Sequence, residues 1–279
     1  MQRIIFLFSL LLLFAQQATT QPIWQMPEGK HTFLLEALKP DFEGEDNTTF
    51  LTSAWFLNYR YAFNSNLALK IDLPFAHFGT EAQRGFGSTS GNRLGNPYVG
   101  IEISNAQKTL FASLGLRPPL ISDLDLDEGS GAAAFVGLTT EYIDRMEAYL
   151  PDVLSLIGTV DFKIESPDGF VAMAHTGAWT WIDAGDQQDE SEFGVLYGAY
   201  LGYAGNAVRL YGGLAGRWIL TEEGDFGENT LHELRFRASF AGGNVRPMLQ
   251  LRLPLDEDYK DVLDSVIGVG LEIYVPPRQ

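Results

Sequence analysis

The chain contains no cysteine, which excludes disulfide staples, thiolate metal sites and the lipid-bearing cysteine of a lipoprotein. After its first twenty residues it has no apolar run near the roughly 20 residues that a membrane-spanning helix needs, so a helical inner-membrane protein is not expected. Basic charge is scarce: 19 Lys and Arg stand against 36 Asp and Glu, a net charge of −17 that repels nucleic-acid phosphates. Histidine is scarcer still, with His31, His77, His175 and His232 far apart and none with an obvious Ser and acid partner. No catalytic residue is therefore assigned, and the chain reads as a non-enzyme. Residues 123–128 alternate carboxylates as a calcium loop begins, but Glu128 stands where such a loop needs Gly and Ala134 where it needs Glu. The Gly-rich stretch 85–91 has no phosphate-binding Lys. Neither a metal nor any other cofactor is implied.

What is present begins with Met1-Gln2-Arg3, an apolar run over 4–14 and a small-residue zone containing Ala15 and Ala18. Residues 1–20 read as a secretory signal peptide, too short in its apolar core for a membrane anchor, with 21–279 as the mature domain.

The mature sequence repeats one unit, two alternating runs joined by a tight polar turn and followed by a long acidic or Gly-rich loop. Leu57, Tyr59, Tyr61 and Phe63 alternate with Asn58, Arg60 and Ala62; after Asn64-Ser65-Asn66, Leu67, Leu69, Ile71 and Leu73 alternate with Ala68, Lys70 and Asp72. A period of two puts the apolar set on one face and the polar set on the other. Such strands suit a closed sheet with lipid outside and water within. The fold expected is all-β: a transmembrane antiparallel up-and-down β-barrel in the bacterial outer membrane, with short periplasmic turns and long acidic outer loops. Strands are expected at 31–38, 51–63, 67–76, 97–104, 109–117, 153–164, 169–182, 192–204, 207–220, 231–241, 245–255 and 265–275. That makes about twelve, an even number that leaves both termini periplasmic. In the third outer loop, Phe135, Leu138, Tyr142, Met146, Tyr149 and Leu150 recur at three- to four-residue spacing, which predicts a helix within 131–150 that covers or enters the barrel mouth. The alternative is a further hairpin there and fourteen strands.

With the apolar faces on lipid, Leu57, Tyr59, Leu69, Ile71, Leu114, Leu116, Leu210, Leu249 and Leu251 point outward. Arg60, Lys70, Arg117, Lys163, Arg209, Arg217, Arg235, Arg237, Arg246 and Arg252 point inward, joined by a smaller set of acids that includes Glu36, Asp72, Glu102, Asp161, Glu233 and Glu272. The lumen is expected to be net basic and the loops acidic. A basic passage favours anions. The competing reading is a closed lumen in which these groups pair and brace the wall. Trp55, Tyr61, Trp179, Trp181, Tyr203, Trp218 and Tyr274 are candidates for the interfacial girdles, or for packing in the lumen.

Residues 93–102, with Asn96-Pro97-Tyr98-Val99-Gly100-Ile101-Glu102, lead into Leu114-Gly115-Leu116-Arg117-Pro118-Pro119. These two strands resemble the outer-membrane family of phenol-degradation meta-pathway transporters, with Asn96 in place of the usual Asp and Glu102 where Lys is common. The resemblance implies a twelve-stranded channel for small, often aromatic solutes; no ligand residue transfers. The solute path expected from the charge map comprises Arg60, Lys70, Asp72, Glu102, Arg117, Lys163, Arg209, Arg217, Arg235, Arg237, Arg246 and Arg252. Expected partners are outer-membrane lipid and lipopolysaccharide, a small-molecule solute, and the barrel-assembly machinery that inserts such proteins.

Overall fold

The computed structural model describes residues 29–44, 48–81, 88–121, 128–185, 191–222, 224, 226–240 and 243–275. Residues 1–20, read above as a signal peptide, most of the acidic stretch 123–128 and part of the Gly-rich loop lie outside them. The strands are β1 (His31–Phe42), β2 (Ser53–Ala62), β3 (Leu67–Gly79), β4 (Ser90–Leu94), β5 (Tyr98–Ser104), β6 (Leu110–Arg117), β7 (Val153–Glu165), β8 (Phe170–Asp183), β9 (Ser191–Ala204), β10 (Val208–Ile219), β11 (Thr230–Phe240), β12 (Val245–Pro254) and β13 (Leu263–Val275). Every named pairing is antiparallel. β1 bonds to both β2 and β13, β3 bonds to both β2 and β5, and consecutive strands complete the circuit, so twelve strands close a barrel. Closure leaves no open edge, which is what a sheet in hydrocarbon requires.

Each expected strand is present. One element was not expected: β4, inside the predicted loop 77–96, adds to the part of β3 that rises beyond its pairing with β5. Local chemistry makes the short turns. Asn64 Oδ1 accepts the backbone N–H of Asn66 at 2.8 Å and of Leu67 at 2.9 Å. Asn105 Oδ1 does the same for Thr109 and Leu110. Gly169 supplies the positive φ of +88° that closes the β7–β8 turn.

The two faces divide as the alternation requires. Leu57, Leu114, Leu116, Leu210 and Leu249 are exposed on the outer surface, with Tyr59, Leu69, Ile71 and Leu251 half-exposed beside them. Arg60, Lys70, Arg117 and Arg252 are buried on the other face. A charge at mid-membrane on the lipid side costs roughly 2–4 kcal/mol, so this division sets the register of each strand. With its apolar belt and closed circuit, the chain is an outer-membrane β-barrel.

The third outer loop is helical, which excludes the fourteen-strand alternative. Helix α1 (Glu128–Thr140) packs against β1 to β4, and a second short helix, α2 (Glu257–Lys260), precedes β13. The expected helix span is corrected at its C-terminal end. From Thr140 the chain runs through turns at 141–145 and a 3-10 turn at Met146–Ala148, so Tyr142, Met146 and Tyr149 follow the helix instead of extending its apolar stripe. The physical reason is that 141–149 lies inside the barrel, where its four charged groups take partners on opposite walls.

Candidate functional site

The site is the upper lumen, where segment 141–149 crosses between two walls. On the β10–β12 wall Arg217, Arg235 and Arg252 meet the segment, with Arg235 directly opposite Arg252 across the strand pair. Like charges facing each other across a sheet are destabilising unless anions lie between them. The loop supplies those anions. Arg252 Nη2 donates to Glu141 Oε1 at 2.9 Å, Arg235 pairs with Asp144, and Arg217 pairs with Glu147. Arg235 also pairs with Glu233 of its own strand, and Arg217 stacks 3.9 Å from the Trp179 ring centre.

On the opposite wall the loop's contacts have the other sign. Arg145 of the loop donates to Glu36 Oε2 at 3.2 and 3.3 Å, pairs with Glu141, and lies 3.5 Å from the centre of the Phe56 ring. Asp72 sits 3.9 Å from Arg145 and accepts from Arg117 Nη2 at 2.6 Å. The segment therefore presents acids to Arg217, Arg235 and Arg252 and its own arginine to Glu36 and Asp72.

Asn96, fully buried at the β4–β5 junction, anchors the loop. Its Nδ2 donates to the carbonyls of Glu147 at 3.1 Å and Leu150 at 2.7 Å, while its Oδ1 accepts the backbone N–H of Leu120 at 2.7 Å and Ile121 at 3.0 Å. Its own carbonyl accepts from Arg117 at 2.8 Å. Both ends of the third loop are thus tied to one amide. Tyr149 adds a bond to the Phe75 carbonyl, and Tyr259 of α2 one to the Thr139 carbonyl.

Beside the segment is a cavity of about 80 Å³ lined by Lys70, Tyr98, Arg117, Asp144, Thr159, His175, Tyr200 and Arg235, among others. Of the expected path residues, Lys70, Asp72, Arg117 and Arg235 line this cavity, while Arg217 and Arg252 hold the inserted loop. The remainder sit in other places. Arg60 is paired with Glu102 at 2.8 Å, Arg237 lies 3.9 Å from Glu272, and Lys163 pairs with Glu165 near the β7–β8 turn. Arg246 stacks 4.5 Å from the Tyr274 ring centre, and Arg209 is half-buried near the start of β10. Trp179 and Tyr274 thus pack in the lumen, not in a girdle.

The loop residues Glu141, Asp144, Arg145 and Glu147 were absent from the sequence-derived path. Their signal was an outer loop carrying Tyr142, Ile143, Met146 and Tyr149 among its charges, too apolar for a segment that stays in water. Two histidines have acid partners that were not apparent in the sequence. His175 Nδ1 is 2.5 Å from Asp161 Oδ1 in the lumen. His232 faces outward, its Nδ1 3.0 Å from Asp256 Oδ1 and its Nε2 2.6 Å from the Tyr197 hydroxyl. Acid partners are present, but the hydroxyl at His232 is a phenol and not a serine.

No protein-family model matches the sequence, and no curated protein sequence does. Among solved structures, the fold is similar to an outer membrane channel from Pseudomonas putida F1, with a TM-score of 0.58 and 12% identity over 92% of this chain and 99% of that one. The translocator domain of autotransporter NalP from Neisseria meningitidis gives a TM-score of 0.47 at 8% identity, over 91% of each chain. At 12% identity the first likeness establishes the shared fold, that of an outer-membrane β-barrel.

Proposed function

We propose that the chain is an outer-membrane channel for small solutes, with the third loop setting its constriction and a basic wall favouring anions. The observation that carries this reading is the inserted segment, since a barrel built only as a membrane scaffold has no use for a charged loop matched to opposite walls of a polar lumen. Field lines focus in a narrow low-dielectric passage, so fixed charge there outweighs the larger acidic total on the loops, which salt screens over about 8 Å. The family resemblance in 93–119 and the tyrosines beside the cavity favour aromatic acids among the solutes. Closure of the upper lumen by ion pairs favours a second reading, a plugged structural barrel.

Planar-bilayer recording separates the two. The wild-type protein is compared with a variant whose residues 141–149 are replaced by a short Gly-Ser linker. The channel reading expects the linker variant to conduct more than wild type, with a reversal potential in a salt gradient that favours anions. Replacing Arg117, Arg217 and Arg252 with Gln in that background then moves the potential toward cation preference. Silence of the wild type, whether or not the linker variant conducts, supports the plugged barrel and overturns the channel.

A further inference from the structure

We infer that the arginines of the β10–β12 wall form a binding site for small carboxylates, and that the third loop closes the lumen by occupying this site with its own carboxylates. The inference deepens the channel reading and takes from it the idea that solute traverses this lumen. It is carried by the geometry of Arg217, Arg235 and Arg252.

Each of the three is buried, and each holds a carboxylate of one loop segment: Glu147, Asp144 and Glu141 respectively. The strands themselves neutralise them only in part. Arg235 and Arg252 face each other, and among these three only Arg235 has an ion pair with an acid of its own wall, Glu233. A wall that concentrates guanidinium groups and takes counterions from a loop can exchange those counterions without breaking the ladder of the barrel. Guanidinium recognises carboxylate through directed, charge-assisted bonds that a spherical chloride ion cannot reproduce in both directions. Asp144 is the most informative of the three. It is both Arg235's partner and part of the cavity lining, so its carboxylate marks where the carboxylate of an incoming solute would lie. Tyr98, Tyr200 and Thr159 line the same space and would meet the remainder of a small organic acid.

The equilibrium follows from competition. A soluble carboxylate that takes Arg235 leaves Asp144 without its partner, and a buried acid without a partner is costly. The closed loop is weakened, and the population with the loop withdrawn rises. The site thus couples solute binding to opening.

Arg145 makes this measurable, because trypsin cuts after arginine and this one is buried in the closed state. Full-length folded protein in detergent is treated with trypsin in sodium acetate or in sodium chloride at equal ionic strength, and the fragment ending at Arg145 is quantified by mass spectrometry. Acetate is expected to accelerate this cut roughly tenfold over chloride. A triple variant, Glu141→Gln, Asp144→Asn and Glu147→Gln, is expected to be cut rapidly in either salt. Heat-dependent gel mobility checks that its barrel is folded, and should it misfold, the wild-type comparison stands alone. Equal wild-type rates in acetate and chloride, or a folded triple variant as resistant as wild type, overturn the site. The readout needs no conductance. A barrel silent in the bilayer but cut faster in acetate overturns the channel and retains the site; a conducting barrel indifferent to acetate does the reverse.

Discussion

The two halves of the lumen hold similar charges in different ways. Toward the short turns, charged groups pair from strand to strand, as Arg60 of β2 does with Glu102 of β5. Toward the long loops, Arg217, Arg235 and Arg252 reach partners on an inserted segment, as Arg145 reaches Glu36 on β1 from the other side. A strand-to-strand pair cannot be released without disturbing the barrel, whereas a strand-to-loop pair can. The lower half therefore braces the wall, and the upper half holds a segment whose release would leave the wall intact.

The largest effect that would break this comparison lies in the lower half. Arg60→Met strands Glu102 in a buried position with its cation removed, and breaking a buried pair in this way costs about 3–5 kcal/mol. Equilibrium urea unfolding in lipid vesicles should show the loss, while Arg145 stays protected from trypsin in the folded fraction. Release of the third loop by this substitution would show that the halves are not separable.

A smaller effect of the opposite kind is expected at Asn96. Asn96→Asp, the residue usual in the family that 93–102 resembles, loses the two Nδ2 donations and sets a carboxylate against the carbonyls of Glu147 and Leu150. Two buried acceptors without donors weaken the closed loop by about 2–3 kcal/mol, or roughly 30- to 160-fold in its opening. Trypsin cleavage at Arg145 should rise accordingly, with the unfolding midpoint of the barrel little changed. A lowered midpoint with no gain in cleavage would assign Asn96 to the wall instead of the loop.

The smallest effect is at Tyr149, whose hydroxyl donates to the Phe75 carbonyl at 2.9 Å. Tyr149→Phe removes one neutral bond and should weaken closure by about 1 kcal/mol, a severalfold rise in cleavage. A change as large as that at Asn96 would mean that the loop is held by this ring and not by the amide hub.

The strand scheme was legible because alternation in a strand is a local code: Leu57 with Asn58, and Leu69 with Lys70, declare their faces without reference to any other part of the chain. β4 was not legible. Ser90 to Leu94 has the composition of a loop and becomes a strand only because β3 outruns its neighbour and offers an edge. The helix signal around Phe135 was sound, but its continuation through Tyr149 was not, since helical spacing says nothing about which residues enter a lumen. The path residues were found strand by strand, which is why the list contained Arg217, Arg235 and Arg252 but none of their partners on the loop. Asp161 beside His175 was missed as a pair for the related reason that register, not sequence distance, brings them together.

By itself the sequence determined the membrane, the closed sheet, the place of each barrel strand and the face its charged side chains take, because lipid penalises charge at every second residue and that penalty acts locally. Only the tertiary structure decided that the basic wall is met by Glu141, Asp144 and Glu147 and that the third loop lies within the barrel. Those contacts join residues 70 to 111 positions apart, and no periodicity in the chain records them.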